Sequence, residues 1–136
     1  MVNWREGRLA LSAIRRQVFI HEQQVPEALE WDGLDDTAMH VLATDATGLA
    51  IGCARLLLEG KIGRMAVLPE WRGKGVGCAL LQAVLATARQ QGMAEVRLSA
   101  QAYAIPFYQK HGFALCSDIY MDAGIPHRDM VLRLSS

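Results

Sequence analysis

Leu11, Ile14 and Val18 recur at helical spacing, with Arg8, Arg15 and Arg16 set between them. The pattern predicts an amphipathic helix over roughly residues 8 to 20 whose apolar stripe covers a sheet. The period is lost from His21 to Asp36, where Glu22, Glu27, Glu30, Asp32, Asp35 and Asp36 surround Pro26 and Gly33. This stretch reads as a long, acidic, partly irregular connection. Three strand-like runs follow, Met39 to Thr44, Leu49 to Leu58 and Lys61 to Val67, with turn residues at Asp45 to Gly48 and at Glu59 and Gly60. Turns that short make the three runs antiparallel neighbours.

Pro69 ends the third run, and a glycine-rich turn leads into Val76, Leu80, Leu81, Val84, Leu85 and Ala88, an apolar stripe with the helical period. Gly92 suits the C-terminal cap of that helix. Glu95 to Gln101 predicts a further strand and Ala102 to His111 a short helix closed by Gly112. Phe113 to Met121 and Asp129 to Leu134 predict a final strand pair. Helix, strand meander, helix, strand, helix and strands in that order imply an α/β (α+β) fold, a mixed sheet with helices on both faces.

Composition narrows the function classes. The 136 residues suffice for one domain, 1–136, with a core of its own. Fourteen basic residues balance fourteen acidic ones, so no long-range field favours nucleic acid or an anionic membrane, and a small-molecule partner is expected. No apolar stretch reaches the ~18 residues of a membrane span, and the first residues lack a secretory pattern, so a cytoplasmic protein is expected. Cys53, Cys78 and Cys116 lie far apart, without the paired spacing of zinc or redox motifs. They read as reduced, buried fillers, and no metal is expected.

The chemistry concentrates between Ile62 and Gly77, a strand followed by a basic glycine-rich turn that opens a helix. Gly73, Gly75 and Gly77 let backbone N–H groups approach an anion, the helix adds its positive dipole end, and Arg72 and Lys74 add charge. A plain surface bend is the alternative for the turn taken alone. The dinucleotide pattern fails because Leu80 stands where its third glycine belongs, and the phosphate-loop pattern is absent. A nucleotide-binding regulator is disfavoured on both counts.

Arg72-Gly73-Lys74-Gly75-Val76-Gly77 resembles the Q/R-x-x-G-x-G/A motif of the GNAT N-acetyltransferase family, and Met65-Ala66-Val67 resembles the strand that precedes it there. Ala104-Ile105-Pro106-Phe107-Tyr108-Gln109-Lys110-His111-Gly112-Phe113 resembles the family's second segment, A-I-x-F-Y-x-K-x-G-F, at the expected distance. Val18 to Gln23, the acidic loop from Glu27 to Asp36, Ala100-Gln101 and Gly124 to His127 are similar to the ElaA/YjcF-like branch. One departure is Gln101, where many relatives carry Asn.

The resemblance implies the GNAT acyl-CoA N-acyltransferase fold, a mixed, mostly antiparallel sheet with helices on both faces. It also implies transfer of acetyl from acetyl-CoA to a primary amine of a small molecule or peptide by direct attack on the thioester. Met65, Ala66, Val67, Arg72, Gly73, Lys74, Gly75, Val76, Gly77, Gln101 and Phe107 fall on the cofactor frame. Tyr108 falls on the general-acid position that protonates the departing thiolate. Making an alkylamine neutral at pH 7 costs about 4 kcal/mol, so a proton acceptor is needed. Glu30 is the candidate base, and Glu27 and Asp32 candidate substrate ligands. Arg55 and Arg64 read as strand-face ion pairs, and His40 and His127 as structural histidines, with substrate binding or proton relay as the alternative for either. The fold is also compatible with a non-catalytic acetyl-CoA sensor or interaction module and with a homodimer.

Overall fold

The computed structural model describes residues 2–25 and 31–134. Helix α1, Trp4–Arg15, starts earlier than the apolar period suggests because Asn3 caps it, its side chain accepting from the Glu6 N–H at 2.8 Å. Beyond Arg15 the helix does not stop but loosens into a π-helical stretch, Arg16–Glu22, which ends when the Gln23 N–H bonds the Val18 carbonyl. Strands β1 (Met39–Thr44), β2 (Ala50–Leu56) and β3 (Lys61–Val67) form the expected antiparallel meander. Helix α2 (Val76–Gln90), strand β4 (Glu95–Gln101) and helix α3 (Ile105–Lys110) follow.

The C-terminal part departs from the expected single pair. Phe113 to Met121 divides into β5 (Ala114–Leu115) and β6 (Tyr120–Asp122), and the last strand β7 runs over Ile125–Arg133. Strands β5 and β6 both pair with β7, but the four residues 116–119 stand opposite only Arg128 and Asp129, which breaks the ladder between them; the two-residue turn Ala123–Gly124, both at positive φ, then lets Asp122 pair with Ile125.

The sheet order is β1-β2-β3-β4-β7-β5, with β6 also pairing β7, and only the β3–β4 pair is parallel. It is therefore the mixed, mostly antiparallel sheet expected. The larger core, including Ala54, Leu56, Ile62, Val96, Leu98 and Met130, lies under α2. A smaller one, Leu11, Ile14, Val18, Cys53, Ala66 and Leu68, lies under α1 on the other face. Gly52 lets α2 close on the sheet, since a Cβ there would stand 3.1 Å from Leu80 and 3.2 Å from Val76. Of the cysteines only Cys53 is the buried filler expected; Cys78 is half-buried and Cys116 exposed, because Cys116 follows the short β5 where the chain leaves the sheet.

Under α1 the second face also buries charge. Asp35 accepts from Arg15 Nη1 at 2.7 Å and Arg55 Nη1 at 3.2 Å, while the His40 ring bonds the Asp35 carbonyl at 3.0 Å. Asp32 takes both Arg55 terminal nitrogens, at 2.9 and 2.8 Å, and Arg64 Nη2 at 3.1 Å. Arg55 is thus the strand-face ion-pair residue expected. Burial works to lift the Asp32 pKa, but hydrogen bonds from Arg55 and the Leu34 N–H and the charges of Arg55 and Arg64 win, holding it far below the usual carboxylate range. His40 is pushed below its ordinary 6.5, chiefly by burial, which outweighs the Asp35 carbonyl and carboxylate.

Asp35→Asn should lower folding stability by about 3–5 kcal/mol, because it leaves two buried guanidinium groups short of their counter-charge. Urea denaturation at neutral pH measures this. In the parent the unfolded chain takes up His40's proton first, near pH 6.5, so stability present above that pH declines as the solution is acidified. A further loss should begin below 3.8, where the unfolded Asp32 protonates before the folded one.

Candidate active site

Strand β3 carries one extra residue. Cys53 pairs with Ala66 and Arg55 with Gly63, so two steps on β2 match three on β3, and Arg64 at the bulge has φ +48°. The bulge reverses the alternation of faces: Ile62 is in the larger core and Ala66 in the smaller, while Met65 and Val67 pack on the larger. It coincides with a break in the sheet, because β3 and β4 are in register only at Lys61–Arg97 and Ile62–Leu98. From Gly63 and Ser99 onward the two strands carry no ladder between them. The backbone of Gly63–Val67 faces this gap on one side and Ser99–Gln101 on the other.

The glycine turn stands where β3 ends. Gly73 and Gly75 hold φ +77° and +85°, and a Cβ on either would meet nothing within 4 Å. Their conformation and the open space above them suit close approach by a ligand rather than internal packing. Gly75 is also the N-cap of α2, whose first N–H groups open onto the same space. Gly77 faces Phe107, with 3.6 Å from an added Cβ to the ring. Lys74 Nζ lies 5.3 Å from the Trp71 ring centroid. Arg72 is committed: its Nε donates to the Val67 carbonyl at 3.0 Å, and its two terminal nitrogens donate to Glu22 at 2.6 and 2.8 Å. The Arg72 hydrogen bonds hold Glu22 below the usual carboxylate range.

Gln101 exchanges two amide hydrogen bonds with Gln23, at 2.8 and 3.3 Å. Glu22 and Gln23, consecutive at the end of the π-helical stretch, thus join both margins of the gap. Their place in the Val18–Gln23 segment marks the family branch, but nothing local in the sequence shows that they meet Arg72 and Gln101.

Tyr108 on α3 reaches β3 from the larger-core side. Its hydroxyl lies 3.7 Å from Met65 Sδ, a weak acceptor, and its ring contacts Phe107 and Phe113. Burial, helped by the charge of Tyr103, pushes its pKa up to about 12. The phenol keeps its proton throughout the neutral range. The structure therefore gathers Met65, Ala66, Val67, Arg72 to Gly77, Gln101, Phe107 and Tyr108 around one gap. Asp32 sits in the Arg55–Arg64 cluster instead, and Glu27 and Glu30 lie outside the described residues. Among the described residues no group of His, Cys, Asp and Glu is arranged to hold a metal ion. Nor is any helix there long and apolar enough to cross a membrane.

A split mixed sheet, a glycine-cradled helix N-terminus at the end of the split, and a phenol over its edge define a protein of the acyl-CoA N-acyltransferase class. Comparison with known proteins agrees: residues 6–134 match the family model for the Acetyltransferase (GNAT) domain. The chain belongs to the GNAT acetyltransferase family, in its ElaA/YjcF-like branch. It is 36% identical over 122 residues to the uncharacterized N-acetyltransferase YjcF of Bacillus subtilis, covering 87% of this chain and 86% of that protein. An acyl-CoA N-acyltransferase from Pseudomonas aeruginosa superposes with a TM-score of 0.81 at 34% identity, over 90% of this chain and 87% of the other. Escherichia coli ElaA gives 0.83 at 33% identity, over 93% and 89%. Family membership supports acyl transfer from an acyl-CoA.

Gly75→Val should abolish acetyl-CoA binding, read by calorimetry. A branched residue at φ +85° costs about 1–2 kcal/mol of backbone strain but meets no protein atom, so cooperative unfolding should persist. Unchanged affinity would show that the turn is only a bend.

Proposed function

We propose that the chain is a single-domain, cytoplasmic N-acetyltransferase that moves the acetyl group of acetyl-CoA to a primary amine of a small molecule or peptide. The observation that carries this reading is the Tyr108 hydroxyl set against the stretch of β3 that β4 does not pair, 3.7 Å from Met65 Sδ.

The residues present fit acetyl-CoA. The backbone from Arg72 to Gly77 would hold the diphosphate, with Lys74 adding charge, and Phe107 lies beneath Gly77. Met65, Ala66 and Val67 would receive the pantetheine as an added strand, because this edge of β3 is not used by β4. Bound there, acetyl-CoA supplies the activated acetyl group. A backbone N–H of Met65 or Val67 is the natural donor to the carbonyl oxygen as charge develops on it. Tyr108 holds a proton at its hydroxyl and presents it to the departing sulfur. Gln101 is held by Gln23 and lines the β4 wall. Asp32, ion-paired with Arg55 and Arg64, would lie on the acceptor side with them. Glu27 and Glu30 remain acceptor-side carboxylates on the sequence alone.

The reading is tested by thiol release from acetyl-CoA across a panel of primary amines. Release above the amine-free rate supports it, and tight binding of acetyl-CoA with no release for any amine overturns it. Tyr108→Phe keeps the ring and removes the proton, so kcat should fall about 10²–10⁴-fold with acetyl-CoA affinity little changed. Because the free-enzyme phenol titrates near 12, kcat/KM for the parent should not fall on the alkaline side at pH 10, where an ordinary tyrosine would.

A further inference from the structure

On the sheet face opposite the larger core, β4, β6 and β7 bring two hydroxyls and a carboxylate into one hydrogen-bonded line. Ser99 and Asp129 are register partners on β4 and β7. Tyr120 on β6 bonds both Ser99 Oγ and Asp129 Oδ1 through its hydroxyl. The Asp129 N–H donates to Ser117 Oγ at 2.8 Å, which fixes the backbone there. His127 stacks on the Tyr120 ring, centroids 6.1 Å apart, and its Nδ1 donates to the Ile125 carbonyl at 2.7 Å.

A carboxylate only accepts, so the Tyr120 proton points to Asp129. With that single proton used, the Tyr120 oxygen accepts from Ser99. The line therefore has a fixed direction. It ends at Ser99 Oγ with its proton committed inward and its remaining acceptor capacity free. Ser99 is also the first residue of β4 beyond the last pair with β3. Gly63 is the corresponding residue of β3, and a Cβ there would meet nothing within 4 Å. The line thus ends beside open space at the start of the gap.

We propose that Ser99, Tyr120 and Asp129 are the proton-accepting relay for the acceptor amine. This rests on the N-acetyltransferase reading. The neutral amine nitrogen attacks the acetyl carbon and an N–C bond forms. The nitrogen's surplus proton passes to Ser99 Oγ as Ser99 gives its own to Tyr120 and Tyr120 gives its own to Asp129. The C–S bond breaks with its electron pair on sulfur, which takes the Tyr108 proton. Asp129 then loses a proton to solvent and Tyr108 regains one, so products differ from reactants only by the acetyl group moved. Ser99 is the catalytic residue; Tyr120 and Asp129 act through it as positioning residues. Burial first, then the bond to Asp129, raises the Tyr120 pKa, which keeps the middle of the line protonated at rest. The other ionisable groups around the line are His127 against Tyr120, Asp122 near it, and Arg128, whose Nε bonds the Ser117 carbonyl.

The test is steady-state thiol release from acetyl-CoA with the amines that serve the parent, between about pH 6 and 10, for Asp129→Asn, Ser99→Ala and Ser99→Thr. Asp129→Asn and Ser99→Ala should lose about 10²–10⁴-fold in kcat near neutrality while keeping acetyl-CoA affinity. The loss should shrink toward high pH, where hydroxide can take the proton, and Ser99→Thr should restore most of the rate. A loss equal at every pH, or both variants within about threefold of the parent, overturns the relay and leaves the transferase reading standing. So does a loss that follows Glu30→Gln with Asp129→Asn at the parent rate. A parent that binds acetyl-CoA and acetylates no amine overturns both. Should Asp129→Asn fail to bind acetyl-CoA, the comparison of Ser99→Ala with Ser99→Thr decides alone.

Discussion

Strand β3 can satisfy only one neighbour beyond Ile62, and the remaining architecture follows from that constraint. Its extra residue at the Arg64 bulge lets it stay paired with β2, so Met65 and Val67 turn to one core and Ala66 to the other. The parallel partner β4 is in register for two residues only. A regular sheet would have consumed the backbone groups of Gly63–Val67 internally, leaving nothing for a ligand to pair with. The Cys53 thiol and the Arg72 guanidinium each bond a carbonyl of this stretch, those of Arg64 and Val67, so the irregular backbone is pinned at both ends.

The described end of the acidic connection, residues 31–36, is held by charge. Asp32 and Asp35 are anchored to Arg15, Arg55 and Arg64, which belong to α1, β2 and β3. Burying such groups adds little net stability, since desolvation offsets most of the attraction. Its effect is geometric. Each carboxylate has a fixed set of donors, so Asp32 and Asp35 have one place on the sheet although no helical or strand period sets it. That place is beside the bulge, and Arg64 joins the two features directly.

Where the sequence is periodic it is readable nearly to the residue. Met39–Thr44, Lys61–Val67 and Glu95–Gln101 match their expected limits because punctuating residues flank them. The start of α1 was hidden because Asn3 acts through a cap rather than through hydrophobic spacing. The early start of β7 was hidden because Ala123 adopts positive φ without being a glycine, and the division of β5 from β6 because it depends on their common pairing with β7. The same distinction governs the site. The glycine turn and Tyr108 are contiguous signals, each carried by a few neighbouring residues. Ser99, Tyr120 and Asp129 stand on three strands, each half-buried at a position where alternation alone predicts only a polar face. Only the register of β4 with β7, and the reach of one phenol across it, shows that they form a line.

The sheet also keeps the two proton-handling groups apart. Tyr108 packs against the larger core, and Ser99 belongs to the opposite side of β4, alternating with the buried Leu98 and Ala100. A donor and an acceptor that met directly would be hydrogen-bonded to each other rather than to the reacting atoms. Tyr108 and Ser99 both flank the gap where β3 and β4 part. In the proposed reaction an acyl carbon held in that gap would be open to a nucleophile from the α1 face, with its leaving sulfur toward α3. The proposed direction of proton flow, in from the amine on one face and out to the thiolate on the other, would then be set by the sheet itself.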